Sequence, residues 1–523
     1  MEDVDAVVIG AGHNGLVAAN LLADAGWRVL VCEATAAPGG AVASAELVAP
    51  GYVADLCSAF YPLAAVSPAL RSLRLEDHGL RWRHAPAVLA HAFPDGRQAL
   101  LARHVEDTAR SLAGFNAADG DAWHAESAFW QRVRDDVLDA ILTPFPPVRA
   151  GARLARVLGT GGLLRLARMF TLPARTLAAE RFAGEGARAL IAGCGLHTDL
   201  GPDTAGSGVF GWLLTMLGQE AGFPVPAGGA GQITAALVRR FPGVVHCGRR
   251  IESVLVAGGQ AVGVRDADGE VVRARRAVLA DVPAPVLYRE LVGEEHLPAR
   301  LAADLANFQW DDATIKVDWA LSGPIPWSSP SVGFAGTVHL GADVNGMARF
   351  ACELACGRVP ADPFVLLGQM TTADPSRSPA GTEAAWAYTH VPRGLEWTVE
   401  GLARRADRIE EVVEAQAPGF RSLVTGRVVS GPSDLARHNP SLVEGAINAG
   451  TAAIHQQLVF RPLPGLARAD TVVDRLFLAG AAAHPGGGVH GAAGANAARA
   501  ALARNGIPGY RPLINTAHHL LYR

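Results

Sequence analysis

Near the start of the chain, Gly10-Ala11-Gly12-His13-Asn14-Gly15 forms a G-x-G-x-x-G motif directly after the apolar run of residues 5–9. Each glycine has a reason to be there. Gly10 permits a tight turn, Gly12 lets backbone approach a pyrophosphate, and Gly15 lets the next helix pack close. The amino end of that helix offers free N–H groups and a positive dipole end to phosphate. Glu33 follows 18 residues after Gly15, where a carboxylate accepts ribose hydroxyls and repels a 2′-phosphate. Together these residues predict a bound dinucleotide.

Two further glycine groups bear on which one. Gly39 and Gly40 form a doublet just past Glu33. Far down the chain, Gly480 ends an apolar run and Gly486–Gly488 precede a helix-forming segment. A helix starting near Val489 would aim its N–H groups at a flavin pyrimidine, which carries negative charge when reduced. A nicotinamide enzyme has no use for such a distant second site, so the expected cofactor is FAD. Lys316 also stands out: it is the only lysine among 46 basic residues, on the apolar run of residues 312–321.

These residues need elements to hold them. Residues 5–33 read as strand, turn, helix and strand. Residues 100–240 are mostly helical in pattern. From 244, short alternating runs separated by Ala-Gly-Gly and Asp-Gly turns predict a β-meander, then a buried strand at 277–280. Residues 312–321 predict another strand and 399–416 an amphipathic helix. Residues 476–479 predict a strand, with an Ala-rich helix after it at about 492–502. The expected fold is α/β, with a discontinuous Rossmann-like FAD-binding domain of the glutathione-reductase/amine-oxidase type. It would comprise residues 1–85, 228–300 and 470–505. A mixed-sheet and helical substrate domain would comprise 86–227 and 301–469, with 506–523 as a tail.

Composition narrows the class. With 523 residues, half apolar and 18% charged, the chain is globular and too long for one core. A net charge of −4 gives no reason to expect nucleic acid. The six cysteines have no redox or zinc spacing, no metal site is expected, and buried thiols are predicted. The start of the chain lacks signal-peptide features, and the uncharged runs at 319–342 and 476–498 are too broken to span a bilayer. A cytoplasmic protein is expected. Residues 140–179 hold six arginines and no acid, so peripheral membrane contact is a further expectation, set against a plain solvated face.

The segments VVIGAGHNGLVAANLLADAGWRVLVCEATAAPGGAV, GGAGQITAALVRRF, RRIESVLVAGGQAVGV and AGAAAHPGGGVHGAAGANAA resemble, in order, the phytoene-desaturase-related flavoproteins. These belong to the wider amine-oxidase-like FAD superfamily. The nearest branch is that of the pyridine nucleotide-disulfide oxidoreductase domain-containing proteins. The resemblance implies that Gly10, Gly12, His13, Asn14, Gly15, Glu33, Gly39, Gly40, Ala41, Ile251, Gly480, Gly488 and Val489 hold FAD. Ala41 stands where many relatives carry Arg. It also implies that Lys316 sits beside the flavin ring and holds a water at N5. His13 would serve the pyrophosphate loop, not catalysis. Tyr61, His197, His455 and His490 are candidates for the substrate side. Disulfide chemistry is excluded, because no C-x-x-C or C-x-x-x-x-C pair exists.

The implied reaction is hydride removal from a C–H bond to flavin N5, on a hydrophobic, polyene- or isoprenoid-like substrate. The apolar segment at 208–218 fits such a substrate. Amine oxidation, a redox-neutral isomerisation and a flavin-stabilised interaction protein are the alternatives. Oxygen, a quinone or a protein are open as electron acceptor, and the oligomeric state is not readable.

Overall fold

The computed structural model describes residues 2–522. Its first sheet has a parallel core. Strand Glu2–Ile9 lies between Val29–Cys32 on one side and Val271–Ala280 on the other. Val244–His246 extends the first side, and Leu476–Leu478 extends the second. Val4 and the run Ala6–Ile9 are buried, as expected for a parallel strand covered on both faces. The order reverses around Glu2–Ile9, so a crevice opens at the carboxyl ends of these strands. Three strand ends meet there and deliver Gly10, Asp281 and Gly480 side by side.

The meander at Ile251–Ala257 and Gln260–Asp266 is antiparallel and continues without a break into Val271–Ala280. That last strand is therefore longer than the buried 277–280 run predicted. Its first half pairs with the meander and its second half with Leu476–Leu478. Helix His13–Asp24 packs tightly on helix Ala492–Gly506. A Cβ on Gly494 would lie 1.9 Å from the Asn14 carbonyl oxygen, so only glycine allows this approach.

The second sheet runs in the order Val424–Ser430, Ala313–Leu321, Glu383–Val391, Val365–Gln369, Ala335–Leu340, Ala87–Ala92 and Gln98–Leu101. One face is an ordinary core, with Val317 and Trp319 among its apolar residues. Trp319 Nε1 donates to Glu410 Oε1 of helix Val399–Gln416 at 2.9 Å. The opposite face is buried but polar. A single register row across it reads His91, His339, Leu366, Tyr388 and Lys316.

Helices cover this polar face. Trp123, Trp130 and Trp212 form the centre of their core, each at most 1% exposed. Trp123 and Trp130 donate to Gln219 and Glu220 of helix Ser207–Ala221, and Trp212 of that helix donates to Glu126. A Cβ on Gly211 would lie 2.1 Å from the Ile191 carbonyl oxygen, so the Glu185–Gly195 and Ser207–Ala221 helices touch backbone to backbone.

Several expectations are corrected. The segment after 505 is not a loose tail: Tyr510–Leu521 is a helix, and buried Tyr522 donates to the Pro464 carbonyl at 2.8 Å. Residue 523 lies outside the described residues. Of the free cysteines, Cys247, Cys352 and Cys356 are exposed, so the buried-thiol expectation fails for those three. In the arginine-rich stretch, Arg153, Arg168 and Arg175 pair with acids outside it: Asp136 and Asp139, Glu180, and Asp203 respectively. Half of the six arginines are therefore already engaged. Among the described residues, no helix is long and apolar enough to cross a membrane.

Candidate functional site

A cavity of about 920 Å³ runs from the carboxyl ends of the first sheet to the polar face of the second, beneath the helical cover. It lies at the upper end of the range for small-molecule sites.

Its first arm is lined by Gly10, Gly12, His13, Asn14, Glu33, Gly39, Gly40, Ala41, Ile251, Gly488 and Val489, all expected cofactor residues. Gly10, Gly39, Gly40 and Gly488 have positive φ, which suits glycine. Glu33 is held in place rather than free. Its Oε2 accepts from Ala11 N at 2.7 Å and its Oε1 from Thr35 N at 2.8 Å. The Thr35 hydroxyl also donates to Oε1 at 2.8 Å, so Oε2 is the oxygen that keeps a lone pair for a ligand hydroxyl.

Gly15 and Gly480 do not line the arm. They build its rear. A Cβ on Gly15 would lie 2.2 Å from the Gly10 carbonyl oxygen, and one on Gly480 would lie 2.8 Å from Asp281 Oδ1. Asp281, which the sequence reading missed, is the hub. Its Oδ2 accepts from Gly15 N at 2.8 Å and would lie 2.7 Å from a Cβ on Gly12. Burial pushes its carboxyl up to about 7. The available signal was its place one residue beyond a buried strand, at the switch point.

The distant glycine segment reaches the cavity through its loop, not through a helix end. Helix Ala492–Gly506 begins three residues later than Val489, and Ala492 N donates to His490 Nδ1 at 3.0 Å. The expectation of a free helix terminus aimed at the ligand is corrected. His13 and His490 face the cavity instead. Burial pulls His13 down to about 4 and His490 to about 3, so both are neutral at physiological pH. Neither brings positive charge to a phosphate.

The arm fits a dinucleotide on two counts. Gly10, Gly12, Gly39, Gly40 and Gly488 present main chain along it, and polar atoms at its wall lack partners: His13 Nε2, Asn14 Oδ1, Asn448 Nδ2 and His490 Nε2. These can bind a polar ligand without displacing an internal hydrogen bond.

The second arm differs. Helix Ser207–Ala221 turns Val209, Phe210, Leu213, Leu214 and Leu217 into it, a stripe at helical spacing. Ile141, Leu142 and Phe170 join them, with Trp386 and Tyr388 rising from the sheet. Tyr61 also lines the cavity. Its hydroxyl donates to the Ser58 carbonyl at 2.8 Å, and burial, then the Asp55 charge, holds it well above the ordinary phenol range. His197 also lines the cavity, with its Nε2 2.9 Å from His339 Nε2. Burial, then neighbouring His390, pulls His197 down to about 3.

Two expected catalytic residues are not brought here. His455 is exposed and bonded to Gln309 Oε1 at 2.9 Å, outside the cavity. Lys316 is buried behind the wall, and its ammonium donates to Asp318 Oδ1. The two are i, i+2 on one strand, so their side chains share a face and pair with each other. Cys57 does line the cavity. Burial pushes its thiol up to about 12, which leaves it protonated and unsuited to thiolate chemistry.

Comparison with known proteins agrees with this geometry. The family model for flavin containing amine oxidoreductase matches residues 15–317. The chain is 28% identical to the Rattus norvegicus pyridine nucleotide-disulfide oxidoreductase domain-containing protein 2, covering 95% of this chain and 93% of that one. It is 29% identical to the zeta-carotene-forming phytoene desaturase of Myxococcus xanthus, covering 92% and 90%. Among solved structures, putrescine oxidase bound to putrescine superposes with a TM-score of 0.60 at 18% identity, covering 96% and 98%. Cyclohexylamine oxidase from Brevibacterium oxydans gives 0.57 at 17%, covering 98% and 99%. At such identities the superpositions speak for the fold alone. With the family match, the glycine-built arm and the two-sheet architecture in agreement, the chain belongs to the flavin-containing amine oxidoreductases and is an FAD-dependent oxidoreductase.

Proposed function

We propose that this enzyme dehydrogenates a hydrophobic, polyene- or isoprenoid-like substrate at a C–H bond. The observation that carries this is the second arm's wall: five apolar side chains of helix Ser207–Ala221 face the cavity. The acidic residues lining the cavity, Glu33, Asp281 and Glu290, come from the first sheet and the segment that follows it. An amine substrate would want a carboxylate or another anchor for its ammonium, and helix Ser207–Ala221 presents none to the cavity. The similarity to phytoene desaturases supports the same reading.

FAD supplies the two-electron acceptor. The protein's part is to bind, orient and exclude water. Burying an apolar chain against this stripe contributes about 25 cal/mol per Å², enough to hold a long hydrocarbon without hydrogen bonds. Positioning then supplies much of the rate, and few acid–base groups are required. The neutral imidazole of His490 suits such a site, because it adds no charge beside an apolar chamber.

The test is anaerobic mixing of the FAD-loaded protein with polyenes, amines and lipid extracts while flavin absorbance is followed. Bleaching by a polyene or isoprenoid, with a product two hydrogens lighter, is expected. Bleaching by amines alone would replace this reading with C–N oxidation. An unchanged product mass with structural rearrangement would replace it with isomerisation. Reoxidation of the bleached enzyme by oxygen, a quinone or a protein identifies the acceptor.

A further inference from the structure

We propose that Cys194, His197 and His339 form a metal site that takes Zn²⁺, with its fourth coordination position open to the cavity. One ligand atom from each, the Cys194 sulfur and one ring nitrogen from each histidine, all lie within 4.8 Å of one another. The two Nε2 atoms are 2.9 Å apart. Tetrahedral zinc, with bonds of about 2.05 Å to nitrogen and about 2.3 Å to sulfur, sets its nitrogen ligands about 3.3 Å apart. Opening the imidazole pair by roughly 0.4 Å gives the two nitrogens that spacing, and the sulfur must come to about 3.6 Å from each.

The fold brings these donors together deliberately. Cys194 lies in the last turn of helix Glu185–Gly195 and His197 follows three residues later. His339 comes from strand Ala335–Leu340 of the second sheet. The helix lies so close to that strand that a Cβ on Gly193 would fall 2.4 Å from His339 Nδ1. Only glycine at 193 allows this contact, and the contact is what aligns the ligands. Cys194 and His339 are at most 1% exposed, while His197 meets the cavity.

A second observation points to a polar occupant. Thr337 lies two residues before His339 on the same face, lines the cavity and is 1% exposed, and its Oγ1 has no partner. His91 Nδ1, on the same sheet face, also lacks a partner. Unpaired polar atoms gathered under an otherwise apolar arm suit a bound ion and its ligand, not a hydrocarbon core.

The donor set selects the metal. One sulfur and two imidazoles suit zinc, and the absence of a carboxylate among them disfavours calcium and magnesium. Three protein ligands with a fourth position toward a cavity is the pattern of a zinc that binds an exchangeable oxygen donor. The ligand class is therefore water, or a hydroxyl or carbonyl oxygen. This adds a polar end group to the apolar substrate, a refinement that rests on the reading above, whereas the metal site itself does not.

The test uses the full-length, FAD-loaded protein. Purified protein should hold about one zinc per FAD after dialysis. Chelator-stripped protein should take up Co²⁺ with tetrahedral ligand-field bands at wavelengths beyond the flavin's own absorption. Cys194→Ser and His197→Ala should each lose the metal while FAD occupancy, which reports folding, is retained. Stripped wild-type protein that keeps FAD but binds neither Zn²⁺ nor Co²⁺ in molar excess overturns the proposal. Metal that survives both substitutions overturns it too, as does copper carrying the intense band of a thiolate–Cu(II) site. Zinc uptake in a protein whose flavin no apolar substrate bleaches would leave the site standing and sink the substrate reading instead.

Discussion

The two arms of the cavity are built from different material. The first is backbone: Gly10, Gly12, Gly39 and Gly488 bring main chain to the surface, with the neutral His13 and His490 and the engaged Glu33 beside them. The second is side chain: an apolar helical stripe above and a polar sheet face below. A backbone-built arm tolerates no added volume but is indifferent to most charge changes. A side-chain arm tolerates repacking but is sensitive to polarity. Substitutions that test this contrast fall in a definite order.

Gly15→Val should have the largest effect. Its Cβ would lie 2.2 Å from the Gly10 carbonyl oxygen, so the turn must break. We expect FAD affinity to fall at least ~100-fold, or the protein to purify without flavin. Retained stoichiometric flavin would show that the first arm is not held by backbone.

Next comes the pair behind the wall. Lys316→Met leaves Asp318 buried and unpaired and should cost about 3–5 kcal/mol in chemical denaturation. The double variant Lys316→Met, Asp318→Leu should recover most of that loss. A single variant of unchanged stability whose flavin half-reactions slow markedly would return Lys316 to the site.

Leu214→Glu places a carboxylate in the apolar stripe. Turnover of an apolar substrate should fall roughly 10–100-fold, with FAD binding unchanged, because desolvating the new charge opposes substrate binding. If turnover is indifferent to this change, the stripe is not the substrate wall.

The smallest effect concerns Asp281. With its carboxyl at about 7, a bound pyrophosphate raises it further. Below that pH the proton is present with and without FAD, so affinity is flat. Above it, binding must take up a proton, so affinity falls as pH rises. We expect a loss of roughly tenfold between about pH 6 and about pH 9, measured by flavin fluorescence. Asp281→Asn should remove the slope. A slope that persists in this variant would assign it to another group.

The same contrast explains what could be read in advance. The G-x-G-x-x-G motif, Glu33 and the Gly39–Gly40 doublet were legible because a backbone cradle is encoded locally, within some thirty residues. The apolar run at 208–218 was legible because a helix repeats its pattern at short range. His339 was not, because it meets His197 across 142 residues through strand register and one glycine contact. Asp281 was missed for the same reason: it lies 266 residues from the Gly15 amide it caps. Lys316 drew attention as the only lysine, yet strand alternation gave it a partner two residues away, on the same face.

The sequence by itself determined a dinucleotide-binding loop, the parallel α/β frame and an apolar helix. Each depends on spacings that local backbone geometry enforces. Only the tertiary structure decided which charged and coordinating groups face the cavity. That choice depends on how strands from distant segments align, and on the few glycines that let helices lie close enough to bring those side chains together.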